Sequence, residues 1–303
     1  MIKSVKDLLR AAQKGLKMNL VVAAAQDEDV LFAVCKAAEE GIVNPILVGD
    51  ENAIKKIAGE QSLDLNRYEI IHVEDLTEAA RVSVKLVSDG KGDFLMKGLI
   101  DTAILLKAVL DKEIGLRTDR LLSHVMIYEV PHYHKLIFLT DGGMNIEPTF
   151  EDKVKITQNA IDACKAMGIK TVKVAAIAAK EKVNDKMIAT VDARKLQEMS
   201  ERGEFGDDVI IEGPLAMDLA VSVEAARIKN FKSNIAGETD VLLVPTIEVG
   251  NGIGKTLTYL AGAESAGIIM GAKVPVVLVS RADSYEAKLN SIALGSVIAA
   301  YSK

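Results

Sequence analysis

Short apolar runs alternate with longer segments of helical periodicity along most of the chain. Four of these runs occupy residues 19–25, 44–50, 68–73 and 93–98, and an amphipathic segment follows each of them. Near-continuous apolar runs are typical of parallel strands that are buried on both faces. The pattern therefore predicts an α/β protein with repeated β-α units, in which helices cover both faces of a doubly wound parallel sheet.

The alternation is interrupted near the middle of the chain. Residues 123–131 and 134–143 are two strand-like runs joined by a few residues, and they predict an antiparallel hairpin. We interpret this hairpin as the start of a second α/β domain. The β-α units then resume, and the final helix is expected from about Tyr285 to the end of the chain.

A glycine-rich segment, VGNGIGKT, follows the strand-like run at residues 240–245. It ends in Gly254-Lys255-Thr256, and a helix-like run comes after it. This order is that of a phosphate-binding P-loop, but Val249 stands where that motif needs its first glycine. A β-branched residue resists the backbone conformation of the first turn. The spacing therefore disfavours a nucleotide-hydrolysing loop.

A more general anion site at this segment stays open. Glycines let a backbone approach a ligand closely, and a helix that starts after them offers free N–H groups. Lys255 would then lie in the first turn of the helix and contact the anion. The alternative is an ordinary glycine turn with a solvated lysine. The segment TDGGMN, residues 140–145, also follows a strand, and its glycines suit a turn or a close approach of a ligand.

A second strand-to-helix corner lies near the carboxyl end of the chain. Ser280 and Arg281 follow a strand-like run at residues 274–280, and an arginine can hold phosphate through two parallel hydrogen bonds. Asp283 and Glu286 have the spacing of a helix capping box. Glu286 is alternatively a candidate general base.

A third corner has the same form. Lys97 and Gly98 follow a strand-like run, Asp101 or Thr102 caps the next helix, and Lys107 lies within that helix. The corner predicts either a second anion site or a pair of solvated lysines.

Composition narrows the functional class. The 303 residues carry a formal net charge of -6, which argues against a nucleic-acid partner but leaves small anions possible. Two distant cysteines in alanine-rich segments predict reduced, buried thiols and a cytoplasmic location. No apolar run reaches the roughly 18 residues of a membrane span, so no membrane partner is expected. His132 and His134 lack a third ligand, so no metal site is expected.

Five segments carry a more specific signal, and they read LMKGLIDTA, LSHV, EGPLAMDLA, SNIAGETDVLLVPTIEVGN and VVLVSRADSYEAKLNSIALG. In this order, and over nearly the whole chain, they resemble the phosphate acetyl/butyryltransferase family, most closely its butyryltransferase branch. The resemblance implies the reaction acyl-CoA + phosphate = acyl phosphate + CoA, with a butyryl or branched short-chain acyl group transferred directly in a ternary complex. It implies coenzyme A as a substrate, no tightly bound cofactor, and a homodimer.

The resemblance also implies the domain organisation. Two α/β domains similar to the isocitrate dehydrogenase group would enclose a cleft that holds the active site. The first domain would be discontinuous, with residues 1–128 and 268–303, and the second would comprise residues 129–267.

The family motif P-x-I-x-x-G-N, followed by a lysine, places Gly250, Asn251 and Lys255 in the site. The S-R pair that holds the phosphoryl group in the acetyltransferases falls on Ser280 and Arg281. The aspartate proposed as their base falls on Ala287 here, which leaves the base unassigned. The residues expected for catalysis are Ser280, Arg281 and Asn251, with Glu286 as the nearest carboxylate candidate for the base. Those implied for substrate binding are Lys97, Gly98, Asp101, Thr102, Lys107, Gly250 and Lys255.

Three alternatives stay open at this point. The first is a phosphate acetyltransferase that uses acetyl-CoA. The second is a P-loop-like kinase or ATPase, and the third is a metabolite-binding protein without catalysis.

Overall fold

The computed structural model describes residues 1–280 and 283–303. Its helices and strands follow one another along the chain in this order: α1 (Val5–Lys14), β1 (Met18–Ala23), α2 (Glu28–Glu39), β2 (Val43–Gly49), α3 (Glu51–Glu60), β3 (Glu69–His72), α4 (Leu76–Ser88), β4 (Phe94–Lys97), α5 (Thr102–Val109), β5 (Ser123–Glu129), β6 (Ile137–Thr140), α6 (Phe150–Ala166), β7 (Val172–Ile177), α7 (Ile188–Glu201), β8 (Val209–Leu215), α8 (Met217–Val221), α9 (Val223–Ile228), β9 (Val241–Leu243), α10 (Ile247–Tyr259), β10 (Glu264–Met270), β11 (Val276–Val277) and α11 (Tyr285–Tyr301). The predicted mixed α/β class is confirmed.

Residue contacts divide the chain into two compact units. The first unit contains Val5–Arg120 and Ser265–Lys303, and the second contains Met1–Ser4 and Leu121–Glu264. The boundaries expected from the sequence follow residues 128 and 267, whereas the contacts place the divisions after residues 4, 120 and 264.

In the first unit the strands lie in the order β3-β2-β1-β4-β11-β10. β1, β2, β3, β4 and β11 run parallel, as the apolar runs predict, and β10 is antiparallel to β11. Aspartates begin the helices that follow three of these strands: Asp27, Asp50 and Asp75 each accept a hydrogen bond from a backbone N–H of the next turn. Such caps satisfy N–H groups that a helix leaves unpaired, and they place negative charge at the positive end of its dipole.

The second unit has the strand order β5-β6-β9-β7-β8. β5 and β6 pair antiparallel, with Ile127 opposite Phe138, which confirms the predicted hairpin. The remaining strands run parallel. A buried core that includes Leu215, Leu219 and Leu242 lies where helices α8 and α9 pack on this sheet.

Two elements near the carboxyl end differ from expectation. α10 begins at Ile247, so the helix starts before the glycine cluster and not after it. β10 was not predicted as a strand. Gly262, with a φ of 65°, lies between the helix and this strand, and the middle of the strand is buried. A glycine in that left-handed conformation commonly follows the end of a helix.

A buried ion pair joins α6 and α7 of the second unit. The ammonium of Lys153 lies 2.7 Å from a carboxylate oxygen of Asp192, and both side chains are buried. The pair lines a small pocket together with Ile177 of β7 and Leu243 of β9. Because water does not reach either side chain freely, each charge is stabilised mainly by the other.

We predict that Lys153→Met destabilises the protein by about 3–5 kcal/mol, because it leaves the Asp192 carboxylate buried without its partner. The double variant Lys153→Met, Asp192→Leu should recover most of this loss, because no charge then stays buried. Urea unfolding of the variants measures the difference. The matched control is Lys85→Met, which breaks an exposed pair with Asp89 and should cost less than about 1 kcal/mol. Equal losses at the two lysines would contradict the assignment.

Candidate active site

Two of the predicted corners share one edge of the first unit's sheet. β4 lies between β1 and β11, and all three run parallel, with Leu95 opposite Val276. Lys97 ends β4, and Ser280 follows β11 three residues later. Carboxyl ends of neighbouring parallel strands meet at the same edge, where ligands of open α/β sheets bind. The fold therefore brings the Lys97 and Ser280 corners to one side of this unit.

Lys97 is buried and is not the solvated lysine of the simpler interpretation. The whole residue is only 7% exposed to solvent. The ammonium donates to the backbone oxygens of Gly98 at 3.3 Å and Ile100 at 3.1 Å. A cation is thus held at the carboxyl edge by the loop that leads to α5.

Gly98 is explained by packing against the neighbouring strand. Its N–H donates to the oxygen of Ala23 at 2.8 Å, and the N–H of Leu99 donates to the oxygen of Ala24 at 2.7 Å. A Cβ at position 98 would overlap the backbone oxygen of Ala24. Gly98 is therefore required by the close approach of two backbone segments.

The other residues predicted at this corner are spread along the helix that follows it, α5. Asp101 is the N-cap of α5, and its carboxylate accepts from the N–H of Ala103 at 2.7 Å. Thr102 is the first residue of the helix. Lys107 is exposed in the last turn of α5, about 7.5 Å further along the axis. Lys107 therefore lies away from the helix N-terminus at which the anion site is predicted, and it is placed to interact with the negative end of the dipole.

Ser280 and Asp283 are joined by two hydrogen bonds. The N–H of Ser280 donates to the Asp283 carboxylate at 2.8 Å, and the N–H of Asp283 donates to the oxygen of Ser280 at 3.2 Å. Arg281, predicted to hold phosphate, lies outside the described residues. The predicted capping box of Asp283 with Glu286 is wrong: Ser284 is the N-cap of α11 and accepts from the N–H of Ala287, because the Asp283 carboxylate is engaged by Ser280.

Glu286 is exposed in the first turn of α11. Hydrogen bonds from its own backbone N–H and from the Ser284 hydroxyl hold the pKa of its carboxyl below the usual value. A general base is most effective when its pKa lies near the working pH. The environment of Glu286 therefore makes it a weak base.

In the second unit, the predicted glycine loop is wrong because its residues are helical. Gly250, Asn251, Gly254 and Lys255 all lie within α10. A P-loop needs a loop whose backbone N–H groups turn toward phosphate, and these N–H groups belong to a helix instead. Lys255 is not in the first turn. It is exposed about 12 Å from the start of the helix, with its ammonium 5.7 Å from the centre of the Tyr259 ring.

Two of the three glycines of α10, Gly250 and Gly254, are needed for packing. A Cβ on Gly250 would lie 2.6 Å from Cα of Gly142 and 2.9 Å from the oxygen of Asp141. A Cβ on Gly254 would lie 2.6 Å from the hydroxyl of Tyr128. The backbone of α10 therefore rests directly on the loop after β6, and Asn251 is exposed beside that contact.

Asp141 organises this loop and was not identified from the sequence. The carboxylate is buried and accepts from the N–H groups of His124, Gly143 and Met144 at 2.9–3.1 Å, and from the side-chain amide of Asn145 at 2.6 Å. Four donors around one carboxylate fix the segment in a single conformation. The signal was present in TDGGMN, where an aspartate at a strand end precedes two glycines.

Among the residues described, three or more His, Cys, Asp or Glu side chains do not come together in a group able to hold a metal ion. The helices found in residues 1–280 and 283–303 include none with the length and apolar character of a membrane span.

Comparison with known proteins identifies the family. The chain matches the family described as Phosphate acetyl/butaryl transferase over residues 4–81 and 73–296. It is 46% identical over 303 residues to the phosphate butyryltransferase of Clostridium beijerinckii, covering 100% of both chains. It is 43% identical over 293 residues to the phosphate acetyltransferase of Rhizobium meliloti, covering 97% of this chain and 92% of the relative.

A solved structure is similar as well. The branched-chain phosphotransacylase of Enterococcus faecalis superposes with a TM-score of 0.82 at 34% identity, covering 93% of this chain and 99% of that one. The chain therefore belongs to the phosphate acetyl/butyryltransferase family, as the sequence motifs indicate.

We predict that titration of the Glu286 carboxyl by NMR gives a pKa below the ordinary value of about 4.3. Because the ionised form is favoured in the folded state, its contribution to stability is present above the unfolded-state pKa. It is lost as the pH falls through the lowered pKa. Glu286→Gln is the control and should remove this part of the acid dependence. A measured pKa of about 6 or higher would contradict this assignment and would support a base role.

Proposed function

We propose that this chain is a phosphate acyltransferase that moves a short-chain acyl group between coenzyme A and inorganic phosphate. The observation that carries the proposal is the 46% identity to a phosphate butyryltransferase along the whole of both chains. The reaction is acyl-CoA + phosphate = acyl phosphate + CoA. Both substrates bind together, so no covalent acyl-enzyme is required.

The phosphate is assigned to the carboxyl edge of the first unit. Ser280 with Arg281 would grip its oxygens, and an arginine can do so through two parallel hydrogen bonds. Lys97 supports the assignment because its ammonium is buried at the same edge. Gly98, Asp101 and Thr102 form the backbone beside it and complete the proposed substrate-binding residues of this edge. Holding phosphate here is mainly a positioning effect, which lowers the entropic part of the barrier.

In the second unit, Gly250, Asn251 and Lys255 are the proposed substrate contacts. The side-chain amide of Asn251 is exposed and can donate to the oxyanion that forms when the acyl carbonyl is attacked. Lys255 is exposed on the same helix, and its charge suits a phosphate group of coenzyme A. Lys107 stays a predicted contact in the first unit, although its position at the end of α5 weakens the prediction.

Attack by CoA on the acyl phosphate requires that the thiol lose its proton. A free thiol with a pKa near 8.5 is mostly protonated at neutral pH, so acyl transfer to CoA benefits from a base or a positive field. Glu286 is the proposed base from the sequence, but its lowered pKa works against that role. Asp101 is the second candidate, and its carboxylate is engaged by the N–H of Ala103. A positive field from Lys97 would favour the thiolate without either carboxylate.

A butyryl or branched acyl group is the proposed preference. Relatives named for butyryl and for acetyl transfer are 46% and 43% identical to this chain, so overall identity separates them little. One methylene in a pocket changes discrimination by only about 1–3 kcal/mol. Acetyl-CoA is therefore the alternative substrate to test.

The remaining features of the proposal follow from the family resemblance and, for the cytoplasmic location, from the two distant cysteines. We propose that the two compact units are its two domains, similar to those of the isocitrate dehydrogenase group. We also propose a cytoplasmic homodimer with coenzyme A as substrate and no tightly bound cofactor. A P-loop kinase is disfavoured because the segment that would form the loop is helical. A metabolite-binding protein without catalysis would bind these ligands but release no CoA.

We predict phosphate-dependent release of CoA from the purified protein, measured by a thiol reagent across acetyl-, propionyl-, butyryl-, isobutyryl- and isovaleryl-CoA. Butyryl-CoA or a branched substrate should give the highest kcat/KM, and acetyl-CoA should be lower by about tenfold or more. The controls omit phosphate or replace it with sulfate. Release that is independent of phosphate with every substrate would overturn the proposed function, whereas a preference for acetyl-CoA would overturn only the acyl assignment.

A further inference from the structure

A buried lysine lies behind the Ser280 corner. Lys288 in α11 is only 1% exposed, four residues after the N-cap Ser284. Helical side chains incline toward the N-terminus of their helix. The ammonium of Lys288 accordingly reaches back to the segment that leads from β11 into α11.

Among the residues that the structure describes, few groups compensate the charge of this lysine. The ammonium donates to the backbone oxygen of Asp283, and it lies 3.4 Å from a carboxylate oxygen of Asp29 in the first turn of α2. The Asp29 side chain is 60% exposed, so most of that carboxylate is hydrated. A buried ammonium is costly unless it is hydrogen-bonded and paired. The carbonyl of Asp283 is therefore an important partner of Lys288.

The same aspartate connects Lys288 to Ser280. While the backbone oxygen of Asp283 accepts from Lys288, its carboxylate accepts from the N–H of Ser280 at 2.8 Å. Moving Asp283 would thus move the backbone of Ser280. The sequence offered no sign of this link, because Lys288 lies in a helix that reads as ordinary core.

We propose that Lys288 is a positioning residue for phosphate: by holding the Asp283 carbonyl, it fixes the backbone of Ser280 at the carboxyl edge of the first unit. The proposal rests on the proposed function. Lys288 acts through Asp283 and is not a catalytic residue. The expected consequence is a selective loss of phosphate binding when the ammonium is removed.

The test compares Lys288→Met, Lys288→Arg and Asp283→Ala with the unaltered protein. Lys288→Met should raise the phosphate KM by about tenfold or more and leave the acyl-CoA KM within about twofold, because one hydrogen bond from a charged group is lost at the phosphate corner only. Lys288→Arg should recover part of the loss, since it keeps a donor. Asp283→Ala should also raise the phosphate KM, because it removes the acceptor of the Ser280 N–H.

Lys135→Met is the matched control. Lys135 is largely buried and pairs with Asp240 at 2.6 Å near the amino ends of the second unit's strands. Its loss should lower the melting temperature without changing the phosphate KM. If Lys288→Met and Asp283→Ala leave the phosphate KM unchanged, or change only the melting temperature as Lys135→Met does, the proposal is overturned. Should Lys288→Met fail to fold, Lys288→Arg and Asp283→Ala decide, and an unchanged phosphate KM in both variants overturns the proposal.

A binding measurement separates this proposal from the proposed function. Inorganic phosphate should raise the melting temperature of the unaltered protein, and the increase should be smaller in Lys288→Met and in Asp283→Ala. If phosphate stabilises the unaltered protein more than the two variants and no CoA is released, the acyltransferase assignment is refuted. The role of Lys288 in phosphate binding is then still supported. Equal stabilisation of all the variants would refute that role.

Discussion

Backbone contacts that leave no room for a side chain determine the local structure at both sets of strand ends. In the first unit, Gly98 rests on the backbone of Ala24. In the second unit, Gly142 and Gly250 rest on each other, which brings α10 against the loop after β6. Because protein interiors are close-packed, a side chain added at one of these glycines would displace the backbone that it contacts. The positions of Lys97 and Asn251 therefore depend on glycines that contact other backbone atoms. A bound ligand is not needed to explain these glycines.

The sequence predicted the architecture well wherever a local pattern alone determines the element. Continuous apolar runs predicted the parallel strands, and the short connection after residue 131 predicted the hairpin. Prediction failed at the start of α10, because three glycines lower helix propensity and packing against Gly142 outweighs it. The capping box failed because Asp283 had a second partner, the N–H of Ser280, which spacing along the chain cannot show.

The candidate site was likewise predicted in part. Residues with a local sequence signal were found, and residues that depend on tertiary contacts were missed. Motifs found the corners at Lys97 and Ser280, since Lys97 ends β4 and Ser280 comes three residues after β11. They could not find Asp141 or Lys288, whose importance comes from burial and from partners on other segments. Asp141 accepts from three backbone N–H groups and a side-chain amide. Lys288 donates to a backbone oxygen and lies beside the Asp29 carboxylate. Both buried charges therefore contact a loop at a strand end. Buried charges satisfied in this way keep a site in one conformation before substrate arrives.

The most direct test of this account compares alanine at two glycines of one helix. In Gly250→Ala the new Cβ would lie 2.6 Å from Cα of Gly142, whereas in Gly252→Ala it would meet no described atom within 4 Å. Phosphate-dependent CoA release and the melting temperature are measured for both variants. Gly250→Ala should lose most of the activity, and Gly252→Ala should keep it and gain up to about 1 kcal/mol in stability from helix propensity. Equal activity in the two variants would contradict the dependence of the site on this backbone contact.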